Sequence, residues 1–368
     1  MNKDIVWVDF STLENFMIDT FKGIGVPEED AKICAEVLIA ADKRGIDSHG
    51  IGRLKTIYYD RIRKGTQLPT THFEIVKESP TTAVVDGHNG MGHVIAKKSM
   101  EMAIKKAKEY GMGMVAVRNS THYGIAGFYP LMAVKEGMIG ITGTNARPSI
   151  APTFGVENML GTNPLTFGIP TDEKFPFFLD CATSISQRGK IETYDRAEKE
   201  IPAGWVIDRN GKTRTDTHQI LNDLKTGKAA LTPLGGIGEI TAGYKGYGYA
   251  TVVEILSSAL SNGNFMKMLS GVKDGQPSPI LLGHFFIAIN ISSFIDLNIF
   301  KIIAGTILRN LRNSQKAPGE KRIYTAGEKE YLAWIERKEK GAPINKNLQK
   351  QMLQIKKELD LNQYHFPF

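Results

Sequence analysis

Cysteine is nearly absent from this 368-residue chain: there are two, Cys34 and Cys181, far apart and in apolar surroundings. That excludes a disulfide framework and a cysteine-ligated metal centre, and it fits a reducing, cytoplasmic setting. Long apolar runs are missing as well. The most apolar stretch, residues 280–308, is interrupted by His284, Asn290, Asp296, Asn298 and Lys301. It reads as a core strand followed by a partly buried helix, so no membrane span is expected. Nor does the N-terminus read as a secretory leader. Excess charge is small: 46 basic against 39 acidic residues leave +7. The lysines are spread along helical stretches with no stripe of basic and aromatic residues, which predicts no nucleic-acid partner.

Several motifs are also missing. Gly50-Ile51-Gly52, Gly111-Met112-Gly113 and Gly246-Tyr247-Gly248 each begin the dinucleotide fingerprint and none completes it. Gly211-Lys212-Thr213 imitates the end of a P-loop, but Val206 stands where its first glycine must be. No Gly-x-Ser-x-Gly nucleophile elbow occurs. His88 and His93 have no third ligand at metal spacing, so turn and packing roles are expected for them and no metal site.

The most informative stretch that is present runs from Ala41 to Leu54. A helix opens at Pro27-Glu28-Glu29-Asp30, carries Ala31, Cys34, Val37, Leu38 and Ala41 inward, and is capped by Gly45. A second helix, starting behind an Asp47 or Ser48 cap, turns Leu54, Ile57, Tyr58 and Ile62 inward and stops at Gly65. His49 and Arg53 lie four residues apart and share a face. One reading is a helix cap beside a surface arginine. The other is a site for an anionic substrate that exchanges a proton, because imidazole titrates near neutrality and guanidinium grips carboxylates bidentately.

Further along, strands are expected at 73–76, 82–85, 114–117, 138–142, 165–169 and 176–179, with helices at 94–110, 126–135 and 249–260. Little strand signal precedes Phe73. Consecutive strands argue for a mixed sheet. An exposed hairpin is expected at 203–214 around Asn210-Gly211, and helical, lysine-rich sequence returns from about Ile307.

Four segments carry possible chemistry. Asn119 to Gly124 is a polar loop between a buried strand and a helix, and contains Thr121 and His122. Asn145-Ala146-Arg147-Pro148 and Leu160-Gly161-Thr162-Asn163-Pro164 sit at strand ends. Asp180-Cys181-Ala182-Thr183-Ser184 brings an acid out of an apolar strand into small residues suited to close approach of a phosphate or ribose, or to an ordinary turn. Finally, 233–248 encloses one lysine, Lys245, among glycines ahead of a helix, an arrangement that could hold a pyrophosphate.

The order of these segments, together with Gly283-His284-Phe285-Phe286, resembles the malate/L-lactate dehydrogenase family that lacks the Rossmann fold and also contains ureidoglycolate, sulfolactate and diketogulonate oxidoreductases. The resemblance covers nearly the whole chain, and the insert 237–243 looks like the malate-type branch. It implies an α/β chain: a mixed-sheet, non-Rossmann NAD(P)-binding domain at 76–306, and a helical substrate and dimer domain made of 1–75 with 307–368. It further implies a homodimer using NAD or NADP.

Position by position, the resemblance places His49 on the Ser-His-Gly histidine and His122 on the second family histidine. Thr121, Thr162, Asp180, Ala182, Thr183, Ser184, Lys245 and Gly246 fall on cofactor segments. Gly327 and Glu328 fall on a Pro-Gly-Glu cofactor turn whose proline is replaced here by Ala326. The expected reaction is reversible oxidation of a small 2-hydroxy acid, malate foremost. His49 takes the hydroxyl proton and His122 polarises the same oxygen, or the two exchange roles, since family members differ over which is the proton carrier; Ser48 and Asp47 are counted with them as catalytic. Arg53 clamps the C1 carboxylate, Arg147 or Lys190 supplies the second cation, and Asn163 contributes to substrate binding. Reduction of another 2-oxo acid or a cyclic imine is the alternative, and a non-catalytic nucleotide-binding oligomer the distant one.

Overall fold

The computed structural model describes residues 5–368. β1 (Val6–Val8) leads into α1 (Phe10–Gly23), whose first turn is closed by the Asp9 carboxylate accepting from the Thr12 N–H at 2.8 Å. α2 (Glu28–Lys43) starts with three acids at the positive end of its dipole. It ends in a left-handed Gly45 (φ +77°), with the Gly45 and Ile46 amides returning to the Asp42 and Ala41 carbonyls.

The expected second helix is composite: a 3₁₀ turn at Ile51–Arg53, a π-helical stretch at Leu54–Tyr59 and the short α3 (Asp60–Arg63). Leu54 and Tyr58 are buried as expected, whereas Ile57 and Ile62 are only half-buried. Widened turns of this kind recur at functional sites because they re-aim side chains.

The sheet layer begins with β2 (Glu74–Glu78) and β3 (Thr82–Asp86), continues through α4 (Gly92–Tyr110), β4 (Met112–Ser120), α5 (Phe128–Lys135) and β5 (Met138–Thr144), and reaches β6 (Leu165–Ile169) and β7 (Phe177–Cys181). A side lobe follows: α6 (Arg188–Arg196), the hairpin β8 (Val206–Asp208) and β9 (Thr213–Arg214), α7 (Thr217–Thr226) and β10 (Ala229–Leu231). Its own apolar cluster joins Ile191, Val206, Ile220 and Leu231 to Ile150, Leu160 and Ala250. Then come α8 (Gly243–Ser258), a two-stranded ribbon of β11 (Val272–Lys273) and β12 (Gln276–Pro277), β13 (Leu282–Asn290), α9 (Leu297–Asn313), α10 (Glu328–Arg337), β14 (Ala342–Ile344) and α11 (Lys346–Glu358).

Seven strands form one mixed sheet in the order β2-β3-β4-β13-β5-β6-β7. Only β3 and β4 run parallel, joined across α4; the other neighbours are antiparallel. β13 arrives late in the chain yet occupies the centre, burying Phe285, Phe286 and Ala288. The fold is therefore the expected α/β class with a mixed sheet.

Beside the sheet, α1, α2 and residues 51–59 share a core with the C-terminal segment: Phe16, Phe21, Leu38 and Tyr58 meet Ile344, Met352 and Ile355. Three details differ from expectation. β1 is a strand before Phe73, held by antiparallel pairing of Val6 with Ile344, which a three-residue strand does not announce locally. The boundary placed at 75/76 falls inside β2, and that at 306/307 inside α9, whose apolar periodicity runs on without a break. The helix expected from Tyr249 starts six residues earlier, at Gly243, so Lys245 and Gly246 are in its first turn. No helix of the described residues is long and apolar enough to cross a membrane.

Candidate active site

The loop between α2 and the composite helix is built around one buried carboxylate. Asp42, 2% exposed, accepts the Ile51 N–H at 2.8 Å and so closes the 3₁₀ turn. Burial pushes its pKa up to about 8. Gly50 is required beside it: a Cβ there would lie 1.9 Å from Asp42 Oδ1. The cap expected of Ser48 or Asp47 is thus supplied by Asp42, and those two residues do other work. Asp47 is gripped by the Arg337 guanidinium of α10, with Nη2 3.0 Å from Oδ2. Ser48 Oγ lies 2.9 Å from His49 Nδ1, while its carbonyl accepts from Arg53 Nε. Asp47 therefore anchors the loop to the C-terminal segment and does not point at the imidazole.

Loop 119–124 supplies the second histidine. Thr121, 2% exposed, donates to the Gly90 carbonyl at 2.8 Å and accepts the Gly92 N–H at 2.9 Å, pinning the loop to the start of α4. The approach is so close that a Cβ on Gly92 would sit 2.3 Å from the Thr121 carbonyl. Thr121 is consequently occupied as a strut.

The His49 and His122 rings stack at 5.8 Å with 17° between planes. Tyr58 Oη is 2.5 Å from His122 Nδ1, and the Gly124 N–H donates to the same nitrogen at 3.3 Å. An amide N–H only donates, so Nδ1 carries the lone pair, Tyr58 donates, and the neutral ring keeps its proton on Nε2. Burial, reinforced by Arg53, brings the His49 pKa down to about 4. Burial also holds His122 well below its usual value, with His49, Arg61 and Arg53 adding to the effect. Both rings are neutral at pH 7.

Around this pair the cations converge. Arg61 feels the charges of Arg147 and Arg53, and Arg61, Arg147 and Thr121 line a cavity of about 300 Å³. Arg147 and Thr162 line a neighbouring cavity of about 710 Å³ with Arg188, Lys225 and Lys267. Arg61, two turns after Arg53, was not singled out from the sequence, although a second arginine on the same helix was its signal. Of the two candidates for the second cation, Arg147 lies in these cavities. Lys190 lines neither; it sits 5.4 Å over the Trp205 ring in the side lobe. Asn163 is also corrected: it is fully buried, its Nδ2 donates to the Ala250 carbonyl and Glu254 Oε2, and its Oδ1 accepts the Ala146 N–H. Its amide is consumed inside the fold and has no capacity left for substrate.

The expected cofactor segments gather on the sheet side. The Asp180 carboxylate accepts the Gly127 N–H at 2.8 Å and the Thr166 hydroxyl at 3.1 Å. Thr183 donates to the Asn163 carbonyl, and its amide to the Thr162 carbonyl. Ser184 donates to the Ser186 carbonyl; Ala182, between them, is half-buried. Gly246 packs under Leu234, while Lys245 is exposed over the Tyr244 ring. Gly327, left-handed at φ +92°, opens α10, and the buried Glu328 accepts the Thr325 N–H and pairs with Arg322. Ala326 leaves that turn intact, since its carbonyl accepts the Phe178 N–H.

Between Gly327 and the α2 end lies a cavity of about 320 Å³ lined by Lys43, Arg44, Lys174 and Glu330 with Phe175, Phe178, Tyr331 and Trp334. Three cations against the single Glu330 carboxylate, beside aromatic faces, suit a diphosphate carrying a planar base. By the chemistry of its donors, this chain fits a dinucleotide. Lys43, Arg44 and Lys174 are further residues that sequence reasoning passed over.

Residues 8–353 match the family described as malate/L-lactate dehydrogenase. The chain belongs to that family. It is 43% identical over 359 residues to a malate dehydrogenase of Pyrococcus horikoshii, covering 98% of this chain and 97% of the relative. It is 41% identical over 349 residues to an L-sulfolactate dehydrogenase of Methanocaldococcus jannaschii, covering 95% and 96%. Among solved structures, a malate dehydrogenase from Entamoeba histolytica superposes with a TM-score of 0.94 at 48% identity, covering 99% of this chain and all of the other. Family membership accounts for a mixed sheet without the Rossmann fingerprint, and makes the chain a hydroxy-acid dehydrogenase.

Proposed function

We propose that this protein oxidises malate, or a closely similar 2-hydroxy acid bearing a second anionic group, with NAD or NADP. The observation that carries the reading is the stacked, neutral His49/His122 pair beside Arg53, Arg61 and Arg147. The names of its malate and sulfolactate dehydrogenase relatives point the same way, since both substrates are dianions. Both layers contribute to both sides: His49, Arg53 and Arg61 come from the helical layer and His122 and Arg147 from the sheet layer, while Lys43 and Arg44 face Lys174 and Phe178 across the second cavity.

The nicotinamide, when bound, exchanges a hydride with C2 of the substrate. Lys43, Arg44 and Lys174 would hold the diphosphate. Arg53 grips the C1 carboxylate, and Arg61 with Arg147 grips the distal anion. We assign the hydroxyl proton to His49 Nε2, with Nδ1–H directed at Ser48 Oγ. His122 Nε2–H donates to the same oxygen, its tautomer set by Tyr58 and Gly124. Arginine charge depresses the basicity of both rings; a bound dianion offsets that charge and lifts them toward a useful range.

The test is a panel of 2-oxo acids with NADH and NADPH, run on wild type and on His49→Ala and His122→Ala. Oxaloacetate or sulfopyruvate should outrun pyruvate, and each histidine variant should lose most of kcat. Absence of any nicotinamide-dependent absorbance change would refute the activity; near-normal kcat in both variants would refute the proton assignment.

We also infer a homodimer. Ile299, Ile303, Ile307 and Leu311 form one stripe along α9, each about half exposed, and an apolar stripe of this length calls for a partner. A monomer by light scattering at micromolar concentration would overturn this.

A further inference from the structure

We propose a divalent transition-metal site on the β2 edge of the sheet, made by His72, Glu74 and His88. Sequence spacing had paired His88 with His93 and found no third ligand; the fold supplies different partners. His93 is fully buried against the Tyr58 and Phe21 rings. His88 instead turns outward. Residues 72 and 74 are two apart on extended chain, so their side chains leave from one face. Register pairs Glu74 with Asp86 on β3. The turn after Asp86 runs left-handed at His88 (φ +46°) and Asn89 (φ +61°), which folds the His88 ring back over Glu74.

The three side chains already form a nest of ligands. His88 Nε2 lies 2.6 Å from Glu74 Oε2, and the His72 and His88 rings meet edge to face at 4.7 Å. One ligand atom from each of the three lies within 4.8 Å of the other two. Ligands about 2.0–2.2 Å from one ion sit roughly 3–3.5 Å apart, so closure needs only small rotations of exposed side chains. Asp86 Oδ1 stands 3.8 Å from His88 Nε2 and adds negative charge behind the site. That carboxylate is fixed by the His88 N–H, Arg118 Nε and Asn119 Nδ2, so it acts from outside the ligand shell.

Two imidazoles and one carboxylate select zinc, nickel or copper over magnesium or calcium, which prefer all-oxygen shells. Three protein ligands leave a position for water. Ligation through His88 Nε2 moves that ring's proton to Nδ1, and Glu74 exchanges its hydrogen bond for a metal bond. The site lies outside the cavities described above, yet its turn is bonded to the loop that carries His122: the Asn89 N–H reaches the Asn119 carbonyl at 2.7 Å, and Gly87 N–H the Arg118 carbonyl at 3.0 Å. An ion here ties the sheet edge to that loop, and binding raises the stability of the folded chain.

The experiment is calorimetric titration of Zn²⁺ into the full chain, free of any affinity tag and stripped with a chelator, followed by Tm against free Zn²⁺. One site per chain is expected, with Tm rising with the logarithm of free Zn²⁺. Glu74→Gln, His72→Gln and His88→Asn should each weaken binding by at least the roughly 10–100-fold that loss of a supporting partner costs. Asparagine tolerates the left-handed backbone at 88, so that variant keeps the turn. Wild type that binds no Zn²⁺, or binding unchanged in the His72→Gln/His88→Asn double variant, overturns the proposal. So does a thiolate charge-transfer band on Co²⁺ substitution, which would place the ion at Cys181.

Discussion

Replacing Gly50 by alanine is the sharpest test of how the His49 loop is held. The new methyl would lie 1.9 Å from Asp42 Oδ1, 2.2 Å from its Cγ and 2.4 Å from Oδ2, where no carbon fits. Asp42 is buried on α2, and its Oδ2 closes the turn at the Ile51 N–H. The carboxylate can yield only by dropping that bond. Overpacking costs about 1–3 kcal/mol and a stranded buried N–H another 1–3, about 2–6 kcal/mol in all. Asp42→Ala by itself strands the same N–H, at about 1–3 kcal/mol, but it also empties the space the methyl needs. The double variant should therefore be little worse than Asp42→Ala alone. Urea unfolding of wild type, both single variants and the pair gives the cycle, and the expected coupling is about 2 kcal/mol or more in favour of the pair. Additivity within about 0.5 kcal/mol would refute the clash as the reason for glycine in Ser-His-Gly.

Tyr58→Phe removes the donor to His122 Nδ1 while keeping the ring packed, so kcat should fall about 5–30-fold, the kinetic equivalent of about 1–2 kcal/mol. Its pH–rate profile should shift as well; unchanged kcat and profile would show that Tyr58 does not position the imidazole. Stability should fall steeply in acid. His93 and His284 have pKa values of about 3 in the fold and His49 about 4, against 6.5 unfolded, so each takes up a proton on unfolding near pH 5. His122, held well below its usual value by burial, takes up a further proton, and Asp42, raised to about 8, releases one over the same range, leaving a net uptake of about three from these groups. Depressed histidines stabilise fully above pH 6.5 and less as pH falls toward their folded values. Stability should drop by about 4 kcal/mol per unit near pH 5, and unfolding free energies that stay level between about pH 4.5 and 6 would contradict this.

What was legible in the sequence is what is settled within a dozen residues. The α2 acids and Gly45, the strand runs of the mixed sheet and the hairpin at Asn210-Gly211 follow from local periodicity and backbone preference, and each appears where expected. His49 and Arg53 do come close, but not as neighbours on one helical turn, because the helix starts only at Ile51 behind a non-helical Gly50. What stayed hidden depends on partners far along the chain. Asp47 looks like a cap until Arg337, 290 residues away, claims it, and Asp42 then takes the cap from the end of the preceding helix. Asn163 looks available beside Thr162 until Ala250 and Glu254 fill its amide. Tyr58 reads as a core residue, and it is one by its ring; its hydroxyl meets His122, 64 positions further on, only because the fold returns that loop to it. Spacing therefore identifies which groups can do chemistry, while tertiary contact decides which of them are still free to do it. Arg61 shows the difference: as a sequence it is one more basic residue near a helix end, and in the fold it comes within reach of Arg53 and Arg147, the set of charges proposed above to favour a dianion over a monoanion.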